Sequence, residues 1–452
     1  MTSFRGILLL LLTASLFAQN RLTPQEERGR RIFERGDSAS GQPITASLNG
    51  EDHVAASILP CSNCHGHDGQ GKPEGGVVPS NITWDALTKP YGVTHPDGRS
   101  HPPYTERLLK RAITMGVDPA GHALNNAMPR FQLSLADASD LVAYIKRLGQ
   151  AVDPGLTADA VGLGVILPAS ANASTSQIVR RVLLDYFARV NGAGGVFGRR
   201  IEVTFTELPL NPAQQAGTVR DFLGREQIFA VVCGSLTGAE AEIAAVLRDT
   251  GTPAMATFAA FPQTASPLNP YVFYLDGGIP EEADALIDFA LKEFPGPSFH
   301  PAIVASDDGV SRQAAAWLRT RLAKSSIVEA PLPSANAVFW LRPDSPRSSD
   351  RQTMFLIPGS LLGASSPLLP PGANTQVFVA QGAASPAADR ARASAELMIE
   401  GLKRAGRNLT RATLLEALEG FHRVETGLHA PVSFGPNRRV GSSDVHVTPR
   451  QP

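Results

Sequence analysis

The chain has 452 residues, 43% of them hydrophobic and 18% charged, with a formal net charge of −1. That length predicts two or three domains rather than one, and the near-neutral balance excludes the basic footprint of a nucleic-acid binder. Three cysteines, an odd number in so long a chain, exclude a disulfide framework. At the start, Arg5 precedes an apolar run, Ile7 to Leu12, which continues through Leu16 and Phe17 to the small residue Ala18. A charged lead, a short apolar stretch and a small residue before Gln19 predict a signal peptide over residues 1–18. No longer apolar run follows, so no membrane span is expected after cleavage, and the mature protein is expected in the periplasm.

Pro24 to Arg35 (PQEERGRRIFER) reads as a first helix, with Thr23 as its N-cap and acids in its first turn. Cys61-Ser62-Asn63-Cys64-His65 follows, and a C-x-x-C-H run reads as a c-type haem attachment site. On one helical turn the two thiols share a face, so Cys61 and Cys64 can each add across a haem vinyl group. His65 then offers an imidazole nitrogen to the iron as proximal ligand. A thioredoxin-type disulfide would want a βαβ context, and half a zinc site would want a second ligand pair. One covalent haem c is the expected cofactor. Glu106 to Met115 (ERLLKRAITM) reads as a helix facing the pocket wall, with Met115 as core filler. Leu135 to Leu148 reads as an amphipathic helix with Leu141, Tyr144, Ile145 and Leu148 at helical spacing.

With Gly29 and Phe33 on one face of the first helix and Tyr144 on the last, residues 22 to 149 resemble the class I cytochromes c. The resemblance implies an all-α domain in which the Gly/aromatic pair packs on the aromatic of the last helix. It implies a sixth iron ligand just before that helix, and Met128 in Asn125-Asn126-Ala127-Met128-Pro129 matches it. A thioether there raises the reduction potential relative to bis-His coordination. Met115, His67, His95, His101 and His122 are rivals, the four histidines reading as exposed loop residues. Pro79, in GGVVPSNI, matches the family proline whose carbonyl holds the proximal histidine ring. Glu74-Gly75-Gly76 and Trp84 are expected at the haem edge.

Residues 150–159 (QAVDPGLTAD) read as a turn-rich linker, which divides the chain into domains 19–149 and 160–452. Strand and helix patterns then alternate: Ala160 to Leu167, a helix from Thr175 to Asn191 carrying Ile178, Val182, Leu183 and Phe187, Ile201 to Phe205, Phe229 to Cys233, and onward. Such alternation predicts βαβ units and a parallel sheet. Cys233, alone in its apolar strand, reads as a small buried hydrophobe. NGAGGVFGRRIEV, VVCGSLTGAEAEIAAVLRDTGTPAMAT and IEGLKRAGRNLTRATLLEALEGF followed by PVSFGPN resemble type I periplasmic binding proteins of the branched-chain amino-acid group of ABC transporters. The resemblance implies two α/β lobes on a hinge, closing on a ligand whose carboxylate is received by the loops after the strands. Ser235, Thr237 and Thr257 occupy those loops. Capping of helices is the plainer role for the same hydroxyls. Departures from the family include few helical periods over residues 326–375 and no aromatic in Ser306-Asp307-Asp308-Gly309.

No H-E-x-x-H, G-x-S-x-G or P-loop occurs, so catalysis finds no motif. The expected function is electron transfer with a periplasmic dehydrogenase or oxidase, the second domain binding a small ligand or docking the partner. A haem-bearing solute-binding protein or sensor is the alternative, and an open-iron enzyme requires that Met128 not ligate.

Overall fold

The computed structural model describes residues 22–48, 52–71, 76–95, 98–148, 153–168, 173–342, 346, 353–362, 375–382, 387–427 and 430–450. They fall into two compact units, 1–152 and 153–452. The expected signal peptide, with Glu74 and Gly75 of the haem-edge loop, lies outside the described residues.

The first unit runs α1 (Pro24–Arg35), β1 (Thr45–Leu48), β2 (Asp52–Ala55), α2 (Cys61–His65), α3 (Trp84–Leu87), β3 (Val93–Thr94), β4 (Ser100–His101), α4 (Glu106–Met115), β5 (Arg130–Gln132) and α5 (Leu135–Ile145). Thr23 opens α1 with a capping box: its hydroxyl accepts the Glu26 N–H, and the Glu26 carboxylate accepts the Thr23 N–H. Thr105 and Ser134 cap α4 and α5 without that return bond, each hydroxyl accepting the N–H of the helix's third residue. Where α1 crosses α5, a Cβ on Gly29 would lie 1.9 Å from the Asp140 carbonyl oxygen, so only glycine permits the approach. One turn on, Phe33 meets Tyr144 with ring centroids 5.5 Å apart and planes at 59°. Ile32, Leu109, Ile113, Leu141 and Ile145 complete the core around this crossing. The helices expected of an all-α domain are joined by a small antiparallel sheet, β2-β1-β5, and a hairpin, β3-β4.

The second unit runs β6 (Ala160–Leu167), α6 (Ala173–Gly192), β7 (Arg200–Glu207), α7 (Pro212–Arg225), β8 (Ala230–Val232), α8 (Glu240–Asp249), β9 (Ala254–Thr257), β10 (Val272–Asp276), α9 (Gly278–Glu293), β11 (Pro301–Ala305), α10 (Gly309–Lys324), β12 (Ala337–Leu341), β13 (Thr353–Pro358), β14 (Thr375–Gly382), α11 (Ala387–Ala405), α12 (Arg411–Glu419), β15 (Val440–Ser442) and β16 (Val445–Arg450). Six strands in the order β15-β10-β9-β8-β6-β7 form one sheet, and five in the order β11-β12-β13-β14-β16 form the other. All pairs are parallel except β14 with β16. Their buried valines, leucines and phenylalanines suit strands covered on both faces. The chain passes between the sheets after β10, after β14 and after β15, which defines two lobes.

Two local readings change in three dimensions. The inward stripe of α6 is Val179, Leu183 and Phe187, while Ile178 stands 44% exposed, so the buried face is offset by one residue. Residues 153–159, expected within a linker, are bonded into the second unit: Asp153 accepts the Arg411 N–H, and the Gly155 carbonyl accepts the Gly162 N–H. Among the described residues, a single 3-10 turn, Gly359–Leu361, is the helical structure between β12 and β14. Cys233 is buried in the first-lobe core, and burial pushes its thiol up to about 12.

Candidate functional site

Pro60 leads into α2 with φ −64, a value its ring imposes, and the single turn that follows carries Cys61, Cys64 and His65. Cys61 lies half-buried against the α1/α5 core, and Cys64 is exposed. Burial pushes the Cys61 thiol up to about 12, with Cys64 adding to the rise. A dithiol redox site needs the opposite shift, toward thiolate.

The His65 Nδ1–H donates to the Ser80 carbonyl at 2.9 Å. That bond fixes the tautomer and leaves Nε2 with a free lone pair. Burial lowers the ring's pKa and so favours neutral imidazole, the ligating form. The carbonyl expected here was that of Pro79, and the structure corrects the register by one residue. Pro79 instead turns its oxygen onto Gly71, where a Cβ would sit 2.2 Å away, so its carbonyl faces the backbone and that of Ser80 faces the ring.

Behind the ring, the Ser80 hydroxyl lies 3.3 Å from His95 Nδ1, and His95 Nε2 lies 3.0 Å from His101 Nε2. His101 Nδ1 donates to the Pro102 carbonyl at 2.8 Å. His101 is buried, edge-on to Tyr104. The pair is therefore not the exposed loop histidines that sequence suggested. His67 lies half-buried, 3.7 Å from Glu34, whereas His122 stays largely exposed beside Asp118. Glu34, missed in sequence, also sits 3.4 Å from the Tyr144 hydroxyl. Burial works to raise its pKa, but Arg30 and His67 outweigh it and hold the carboxyl at about 2.

Met128 is half-buried in the loop before α5. Its N–H donates to the Asn125 carbonyl, and Arg130 donates to the Met128 and Leu124 carbonyls, tying the loop from inside. Met115 is 67% exposed, not core filler, because α4 buries Leu109, Ala112 and Ile113 and turns its last residue outward.

In the second unit, β8 and β9 are parallel neighbours whose carboxyl ends release the loops carrying the expected ligand hydroxyls. Thr257 is fully buried and spends its hydroxyl on the Phe273 carbonyl at 3.1 Å, inside the sheet. Ser235 is half-buried and Thr237 exposed. Neither hydroxyl caps α8, which has no side-chain cap. Glu240, unremarked in sequence, takes the loop N–H groups instead: those of Gly238 and Ala260 at 3.1 Å and that of Phe261 at 3.4 Å. No local pattern marks it, since the donors come from two separate loops.

These arrangements define a haem-attachment unit followed by a two-lobed α/β unit. A cytochrome c family model matches residues 49–149, and a periplasmic binding protein family model matches residues 160–333. The chain thus joins a cytochrome c domain to a domain of the type I periplasmic binding protein fold. No curated protein matches it in sequence. Among solved structures, the fatty acid ABC transporter substrate-binding protein from Thermomonospora curvata is similar at 14% identity and TM-score 0.53, covering 66% of this chain and 90% of that one. A possible leucine/isoleucine/valine-binding protein from Rhodopirellula baltica SH 1 is similar at 14% identity and TM-score 0.51, covering 64% and 94%. A branched chain amino acid ABC transporter from Thermus thermophilus with bound valine is similar at 13% identity and TM-score 0.51, covering 64% and 93%. Likeness at such identities speaks for fold alone. Among the described residues, no helix is long and apolar enough to cross a membrane.

Proposed function

We propose that this protein is a periplasmic electron carrier. Cys61 and Cys64 would hold one haem c, His65 and Met128 would supply nitrogen and sulfur to its iron, and the protein would exchange electrons with a dehydrogenase or oxidase. The observation that carries the reading is the His65–Ser80 bond inside a C-x-x-C-H turn, which leaves Nε2 as the ring's donor atom. A raised Cys61 pKa argues against a thiolate redox site and suits a thiol kept for addition to a vinyl group. Bound there, haem supplies one-electron chemistry at its iron. The chain's own contribution is to orient the imidazole, to tether the macrocycle, and to present a thioether from a loop braced by Arg130. We read residues 1–18 as the export signal and 160–452 as a binding domain for a small solute or for the redox partner.

Protein made with a haem-maturation system tests this directly. It should keep its haem through denaturing electrophoresis, and loss of both cysteines should abolish retention. Oxidised protein should show the weak far-red sulfur-to-iron band. Met128→Ala should lose that band and lower the reduction potential, while Met115→Ala leaves both unchanged. Haem that washes out of wild type, or a bis-His spectrum, refutes the assignment.

A further inference from the structure

In parallel sheets, ligands settle in the crevice outside the carboxyl ends of the strands. Here the ends of β8 and β9 send out three backbone N–H groups, from Gly238, Ala260 and Phe261, that converge on one point. Gly238 takes φ +102, a conformation open to glycine and rare for other residues. The point is not on the first lobe's outer surface. Ala260 accepts the Ile279 N–H at 2.9 Å, and Gly278 packs so tightly on the Ala259 and Ala260 carbonyls that a Cβ would come within 2.7 Å. Ala260 itself belongs to the apolar core of the second lobe. The converging donors therefore lie where the lobes meet.

What occupies them is the carboxylate of Glu240, the first residue of α8. Among the described residues, no cation is paired with it, and its charge is met by backbone N–H groups alone. Burial raises its pKa and those N–H groups offset part of the rise. A second buried group faces the same place. The Tyr274 hydroxyl is buried there, with the Gln263 backbone as its hydrogen-bonding neighbour. Burial first, and the Glu240 charge in addition, raise it to about 12, with the Gln263 backbone working the other way.

We propose that Glu240 is a built-in carboxylate that fills the anion-receiving donors between the lobes, so that any solute of this domain is one without a carboxylate at that position. The inference rests on reading the second unit as a binding domain. It assigns the specificity to this chain's own side chain: an acidic solute would have to expel Glu240, which is tethered and always present at high effective concentration.

Chemical rescue in the full-length holoprotein tests it, with formate and acetate as probes and chloride at equal ionic strength as control. Wild type should show no carboxylate-specific change in melting temperature. Glu240→Ala should melt lower and recover saturably with formate, by roughly 5 °C at a hundred times the dissociation constant. Glu240→Gln keeps the space filled and should show no recovery. If Glu240→Ala does not fold in chloride, its folding yield in formate puts the same question, and equal yields refute the proposal. A folded Glu240→Ala indifferent to formate, or a wild type that binds formate saturably at these donors, also refutes it. Should a neutral solute stabilise wild type while formate leaves Glu240→Ala unmoved, the Glu240 assignment falls and the binding-domain reading stands. Rescue without any solute for wild type supports the assignment and removes solute binding.

Discussion

Gly29→Ala tests whether the helix crossing that frames the haem site has been understood. A Cβ at residue 29 would stand 1.9 Å from the Asp140 carbonyl oxygen and 2.8 Å from Tyr144 Cβ, where ordinary contact begins at 3.4 Å. The helices must therefore part by about 1.5 Å, the difference between 3.4 and 1.9. The nearest obstruction is backbone, so no side chain can swing aside, and overpacking of this kind costs about 1–3 kcal/mol. Separation would also loosen the Phe33–Tyr144 contact and the Arg28–Asp140 pair at 2.7 Å. Alanine's better helix propensity returns up to about 1 kcal/mol. The net expectation is a loss of about 2 kcal/mol, read as a lower urea midpoint at unchanged slope when the holoprotein is followed by haem absorbance. Gly217, in α7 with nothing within 4 Å of where a Cβ would stand, is the control: Gly217→Ala should gain about 0.5–1 kcal/mol by far-ultraviolet circular dichroism. Equal or greater stability of Gly29→Ala would refute the close-approach argument.

Other tests follow from buried charge. Burial pushes Glu282 up to about 7 even though the Ser360 N–H and hydroxyl both donate to it at 2.9 Å. The folded state thus keeps a proton that the unfolded chain releases above its ordinary 4.5, so stability of the second unit should fall between pH 4.5 and about 7. The total is about 3 kcal/mol, and Glu282→Gln should flatten the melting curve across that window. Glu34 has the opposite sign: its stabilisation is complete above 4.5 and lost as pH falls toward about 2, and Glu34→Gln should remove that acid slope from the haem-monitored transition. Arg411 is 9% exposed and donates to the carbonyls of Ile228, Phe229, Thr250 and Gly251. Arg411→Met should cost about 3–5 kcal/mol by urea denaturation, and a loss under about 1 kcal/mol would deny the bridge its role.

What the sequence determined by itself was local. The C-x-x-C-H turn, the cap at Thr23, the helical spacing of α1 and the continuous apolar run of β6 involve near neighbours in the chain, so the local pattern alone reveals them. The Gly29, Phe33 and Tyr144 frame was legible through resemblance, and the structure places all three in one contact. Tertiary structure decided which distant group completes each local one. Whether Pro79 or Ser80 serves His65 depends on how closely the chain passes Gly71. Likewise, His95 and His101 meet because a hairpin folds, Met115 faces outward because α4 buries another stripe, and Thr257 turns into its own sheet. Glu240 is the extreme case: its three donors lie in two loops separated by a helix and a strand, and only the parallel pairing of β8 with β9 brings them to one carboxylate. Periodicity describes which face of an element is apolar; it carries no information about which backbone N–H across the fold will need an acceptor.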